Sequence, residues 1–214
     1  MFVFILFCLF ILCFDIYANT MKKDHSLQIY HAHHSFKESS KSSCTKKINR
    51  KKKKPIFVIQ KHDSSHKHFD FRLEIGGVLV SWAIPKGPSL NPRNKRLAIR
   101  TNDHSLEYAQ FEGVIPKNTY GAGTVMIWDY GTFEPYILPN KKTPSLKEQL
   151  KKGLIKIIIS GNVLQGAFSL IHTHEDRWLL IKMGDKYAST TKNLTKTVLH
   201  SALSHRTMEQ IKKA

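Results

Sequence analysis

The residues best equipped for chemistry lie between His62 and Ile75, in the stretch HDSSHKHFDFRLEI. From His68 onward the chain alternates: His68, Asp70, Arg72 and Glu74 on one parity, Phe69, Phe71, Leu73 and Ile75 on the other. Successive strand side chains point to opposite sides, so this pattern predicts a strand with one apolar face and one reactive face. Neighbours on the reactive face stand roughly 6.5–7 Å apart. His62 precedes His68 by six positions, and a bend through Ser64 and Ser65 would bring it back. Two imidazoles and a carboxylate suit Mn²⁺, Fe²⁺ or Zn²⁺. Arg72 stands where a phosphate on such an ion would be gripped. Polar residues alternating along a strand also fit a solvated sheet face. The combination favours chemistry: HxDxR on one face, a second histidine nearby, and His, Tyr and Arg further on.

Those later residues have readings of their own. Arg96, Ala98 and Arg100 alternate with Leu97 and Ile99, which suits either an anion-lined groove or an exposed edge strand. Asp103 reads as a helix cap. His104 and Tyr108, four apart, would then share a helix face. An acid–base imidazole with a hydrogen-bonding phenol beside it is a workable pair; core packing or capping is the other reading. Lys86, in a Pro-Lys-Gly-Pro turn, reads as a surface lysine.

These residues need a scaffold, and the scaffold is predicted to be β. Strands are expected at Ile56–Gln60, through the alternating stretch, at Val78–Ile84 after the Gly76-Gly77 turn, and at Arg96–Arg100. Val125–Trp128 and Thr132–Tyr136 read as a hairpin about Asp129-Tyr130-Gly131. A short helix is capped by Ser145 and stopped by Gly153. Strands follow at Leu154–Ser160, Val163–His172 and Arg177–Met183, then an amphipathic helix or helix pair within Leu194–Lys213. About eight strands at short spacing predict a mainly β fold: a closed antiparallel β-barrel with a few short flanking helices. Strands carrying polar residues inward would give that barrel a polar central channel.

Charge points to the partner. The 214 residues carry a net charge of +18. From Pro55 onward 23 Lys and Arg face 13 Asp and Glu, and the first 54 residues carry 11 against 3. A basic body argues for a polyanion, nucleic acid before membrane. The three cysteines, Cys8, Cys13 and Cys44, all precede the predicted fold, which excludes a disulfide framework or a CxxC metal site within it. Residues 1–20 read as an apolar leader: an anchor, a secretion signal, or an extension ahead of a true start at Met21. The last is preferred and implies a cytoplasmic protein. Residues 21–54 read as a basic, disordered arm, and 55–214 as the β-barrel domain.

The ordered motifs resemble a known family. FVIQKHD from Phe57, HFDFRLE from His68, SWAIPKGPS from Ser81, DHSLEY from Asp103, FEGVIP from Phe111, YGAGT from Tyr120, WDYGT from Trp128 and WLLIK from Trp178 are similar to the 3′-phosphoesterase domain of bacterial DNA ligase D. The likeness spans about residues 56–211. It implies a Mn²⁺-dependent β-barrel enzyme of end-joining DNA repair; another divalent transition metal is the alternative. Such an enzyme removes 3′-phosphates and trims 3′-terminal ribonucleotides. It implies metal ligation by His62, His68 and Asp70, and phosphate contact by Arg72, Arg96, His104 and Tyr108. DNA ends are the implied partner, with a separate ligase and end-binding protein, and the stand-alone domain is expected to be a monomer. The family's upstream Arg-Asp-Phe and following Glu are replaced here by His34-Ser35-Phe36. Two rivals remain: a non-catalytic DNA-end-binding module, and an Fe²⁺ β-barrel oxygenase built on the HxD pair.

Overall fold

A computed structural model describes residues 54–137 and 142–214. The leader, the basic arm up to residue 53 and, within it, the His34-Ser35-Phe36 segment lie outside the described residues. Among these there are nine strands: β1 (Ile56–Asp63), β2 (His68–Ile75), β3 (Val78–Ile84), β4 (Arg96–His104), β5 (Gly113–Ile115), β6 (Gly123–Pro135), β7 (Leu154–Gly161), β8 (Gln165–His174) and β9 (Arg177–Lys182). All neighbours pair antiparallel in the order β1-β2-β3-β4-β9-β8-β7-β6-β5, and β1 pairs again with β6. That last pairing closes eight strands into a barrel and leaves β5 outside the ring, on the edge of β6. Three short helices accompany it: α1 (Leu146–Lys151), α2 (Leu194–Thr197) and α3 (Met208–Lys212).

The barrel is filled with side chains. Phe57, Phe71, Trp82, Ala98, Trp128, Ile157, Phe168 and Leu180, one from each ring strand, belong to a single buried cluster. An eight-stranded ring is just wide enough for side chains to fill it. The interior is therefore apolar, and the expected polar channel is corrected: the reactive parity of β2 faces outward. There, Val58, Leu79 and Ile127 form a second, smaller apolar patch, which receives Leu106, Tyr108 and Ala109.

Three local expectations change. Gly123–Pro135 is one strand, with a register shift opposite Ile59 and Gln60, and no hairpin forms at Asp129. Asp129 is fully buried, and its carboxylate accepts backbone N–H bonds from Tyr130, Asn162, Val163 and Leu164 at 2.8–3.0 Å. Its side chain thus organises the β7–β8 turn. Gly131 lies so close to the Ser160 carbonyl that a Cβ would collide with it. Second, His104 ends β4, while Tyr108 sits on a 3₁₀ turn, Leu106–Gln110, that follows Ser105. Asp103, the expected cap, instead pairs with Arg100. Third, of the helix or helix pair expected within Leu194–Lys213 the pair forms, but as two short helices, α2 and α3, with irregular chain between; α1 and α3 carry the Ser145 and Thr207 capping boxes.

Lys182, at the end of β9, is buried to its tip. Its Nζ donates to the Ala167 and Met183 carbonyls, each at 3.1 Å, and to Asp185 Oδ2 at 2.5 Å. The Phe168 ring lies 5.0 Å from the same ammonium.

Candidate active site

The site begins with strand register. β1 and β2 pair so that His62 faces His68 and Gln60 faces Asp70. Directly opposed residues on one face bring their side chains together. The two imidazoles are 4.8 Å apart, centre to centre. His62 Nδ1 lies 3.6 Å from Asp70 Oδ2, and His68 Nε2 lies 3.5 Å from Asp70 Oδ1. One donor atom from each of the three residues falls within 4.8 Å of the others. His68 Nδ1 donates to the His66 carbonyl at 2.8 Å, which keeps a proton on that nitrogen and leaves Nε2, beside Asp70, as the atom that can ligate a metal when the ring is neutral. His62 Nε2 is buried with no hydrogen-bond partner. Two imidazoles, a carboxylate and an unsatisfied buried ring nitrogen together fit a first-row divalent ion.

Arg72 sits beside this cluster, nearly fully buried, with three edges of its guanidinium engaged. Nε donates to Gln60 Oε1 at 2.7 Å, Nη1 to His104 Nδ1 at 2.9 Å, and Nη2 lies 3.1 Å from Asp70 Oδ2. A guanidinium has no acceptor, so His104 Nδ1 is unprotonated and the ring carries its proton on Nε2. Tyr108 completes the group. Its ring lies 5.0 Å from the Arg72 guanidinium and 4.8 Å from His104, and stacks on Phe111 at 5.0 Å and 15°. The 3₁₀ turn reaches this position because Leu106, Tyr108 and Ala109 dock on the outer apolar patch.

Electrostatics follow from these contacts. Burial alone would push Asp70 up, but the His62 and His68 imidazoles and the Arg72 charge outweigh it and hold the carboxyl well below its usual range. The hydrogen bond with Asp70 raises His68 against the opposing effect of burial. Burial, reinforced by the Arg72 charge, depresses His104 to about 4. At neutral pH the site therefore holds an ionised Asp70 and an uncharged His104.

Six of the seven residues expected from the sequence form one contiguous group: His62, His68, Asp70, Arg72, His104 and Tyr108. Arg96 is not drawn into it by contact. The register sets Arg96 opposite Leu180, on the parity of the barrel interior, and its Nε is buried without a partner. Two contributors were missed. Gln60 is fully buried; besides holding Arg72 it donates from Nε2 to the Tyr108 and Phe111 carbonyls at 3.2 and 3.0 Å. Ser81 places its hydroxyl 3.3 Å from His104 Nδ1 while donating to the Leu79 carbonyl. The available signal was parity: Gln60 shares a face with His62.

Known proteins carry the same arrangement of motifs. The family model described as the DNA ligase D 3′-phosphoesterase domain matches residues 60–172. The chain is 42% identical over 158 residues to the multifunctional non-homologous end joining protein LigD of Pseudomonas aeruginosa, covering 71% of this chain and 18% of that protein. It is 46% identical over 123 residues to the multifunctional non-homologous end joining DNA repair protein LigD of Mycobacterium tuberculosis, covering 58% and 15%. The match thus spans less than a fifth of each of these relatives. A family match over more than half the chain, on a barrel that assembles the motif histidines, Asp70 and Arg72 at one place, makes this protein a member of the DNA ligase D 3′-phosphoesterase domain family.

Proposed function

We propose that the chain is a metal-dependent phosphoesterase that removes 3′-phosphates from DNA ends and trims 3′-terminal ribonucleotides, leaving a 3′-hydroxyl for ligation. One observation carries the reading: the buried, unpartnered Nε2 of His62 next to His68, Asp70 and a guanidinium pinned on three edges. His62, His68 and Asp70 would hold Mn²⁺. When bound, the cation would supply Lewis acidity toward a phosphate oxygen.

The chain's own residues account for the remaining work. Gln60, Asp70 and His104 fix Arg72, so its charge is oriented before substrate arrives and needs no rearrangement to stabilise a developing oxyanion. Three of its five N–H groups are engaged in these contacts, which leaves two for phosphate oxygens. His104, neutral with its hydrogen on Nε2, is proposed to donate a hydrogen bond that stabilises the charge developing on the departing 3′-oxygen, which takes its proton from water. Tyr108 holds the His104 and Arg72 planes in place. Arg96 is kept as a phosphate contact on the family resemblance alone.

The end-joining role borne by the relatives' names supports repair as the setting and DNA with 3′-phosphate or 3′-ribonucleotide ends as the substrate. A separate ligase and end-binding protein would complete the process. A monomer acting in the cytoplasm is the accompanying proposal.

The test is purified protein, MnCl₂ and a 5′-labelled primer–template ending in a 3′-phosphate or one 3′-ribonucleotide. Release of phosphate is expected, with His68→Ala and Asp70→Ala each lowering turnover by about 100-fold or more. Wild-type turnover in either variant would remove the ligand assignment. Tight end binding with no product at any Mn²⁺ concentration would instead mark a DNA-end-binding module.

A further inference from the structure

The loop joining β5 to β6 plays no part in the mechanism above, yet it carries the most exposed large apolar side chain among the described residues, Tyr120 at 86%. Single exposed apolar residues are common, so exposure alone says little; position says more. Through β6, His62 pairs with Val125, and Val125 pairs with Gly113 of β5. β5 therefore lies two strand spacings, about 10 Å, from His62.

The loop is also a built structure. Thr119 Oγ1 donates to the Pro116 carbonyl at 2.7 Å, and Ala122 N to the Thr119 carbonyl at 3.1 Å. Asn118 (φ 70°) and Gly121 (φ 77°) take left-handed backbone on either side of Tyr120. Gly123 packs so tightly on the Asp63 carbonyl and Ser64 Cα that a Cβ there would force the chains apart. That contact anchors the loop to the turn between His62 and His68. Lys117, exposed on the same loop, adds positive charge, while Lys67, exposed on the turn, lies 3.6 Å from the Asp63 carboxylate.

We infer that Tyr120 is a stacking platform for a base near the 3′ end of the strand whose terminal phosphate reaches the His62–His68–Asp70 cluster. This inference rests on the proposed function and adds how the strand is held. The loop leaves β5 at Ile115 and returns at Gly123, which touches the Asp63–Ser64 turn, so a strand whose end reaches the cluster passes Tyr120 within its last few bases, at about 3.4 Å per nucleotide. Stacking on an aromatic ring tolerates any base, because every base presents a π-face. The platform therefore grips frayed or single-stranded 3′ ends without reading sequence.

The test uses the full chain as wild type, Tyr120→Ala and Tyr120→Phe, with a 3′-hydroxyl product strand that cannot turn over. 2-Aminopurine is placed at the last, second-last or third-last position, and thermal melting checks that each variant is folded. Wild type and Tyr120→Phe are expected to quench the fluorophore at one of these positions. Tyr120→Ala should lose that quenching and bind about tenfold more weakly, a typical loss for one stacking contact. The difference should vanish on a strand that is abasic at its last three positions, and KM for the 3′-phosphate substrate should rise more than kcat falls. Equal Kd and equal quenching in Tyr120→Ala overturn the inference, as does a loss that persists on the abasic strand. A wild type that neither binds ends nor releases phosphate would overturn the function and this inference together. An active wild type with an unaffected Tyr120→Ala overturns this inference alone.

Discussion

His68 keeps its proton more tightly in the folded chain than in the unfolded one, because Asp70 shares it. For a raised imidazole, the stabilisation is fully present below about pH 6.5 and is lost as pH rises through the folded value. Metal binding runs the other way, since an imidazole must be neutral to ligate. Mn²⁺ affinity measured by calorimetry is therefore expected to fall about tenfold per unit as pH drops below the folded pKa of His68, with about one proton released per ion bound. Asp70 should not contribute to that slope near neutrality, because its carboxyl stays ionised far below it. At this scale the sequence was informative where residue type and parity coincide, as in His68, Asp70 and Arg72. Gln60 and Ser81 were not legible as site residues: an amide and a hydroxyl acquire their roles only from the strands paired beside them.

Strands and turns were read well where a local signal decides them, such as Gly76-Gly77 after β2 or the Ser145 cap of α1. The signal failed at Asp129-Tyr130-Gly131. These residues look like a turn because Asp commonly satisfies its own neighbourhood. Here the carboxylate serves N–H groups 33 to 35 positions away, a demand no local window contains. Asp129→Ala should strand several buried donors at the β7–β8 turn and cost about 2–4 kcal/mol in urea unfolding, with m unchanged. A loss under 1 kcal/mol would mean that water replaces the carboxylate. His104 and Tyr108 show a related limit. Their spacing suggested one helix, but they meet because the chain turns after β4 and docks its 3₁₀ turn on the outer apolar patch.

For the whole molecule, alternation along β2 established that the two faces differ; it could not say which one turns inward. Closure of eight strands decides that, since a ring of this size is filled by Phe, Trp and Ile rather than by water. The reactive groups therefore lie on the outer face of the ring, largely buried beside the 3₁₀ turn rather than inside the barrel. The excess of cations in the described body predicts a strong ionic contribution to DNA binding. If about five phosphates are neutralised, a plot of log affinity for duplex ends against log salt should have a slope of about −4 to −5. A slope near zero would exclude backbone contact as the source of affinity. The Lys182 ammonium, held by two carbonyls and Asp185, bears on a different measurement. Acylating reagents should modify the lysines on the barrel's surface in minutes and spare this one, so its appearance in a peptide mass map would time the opening of the β8–β9 end, a clock already written into the chain.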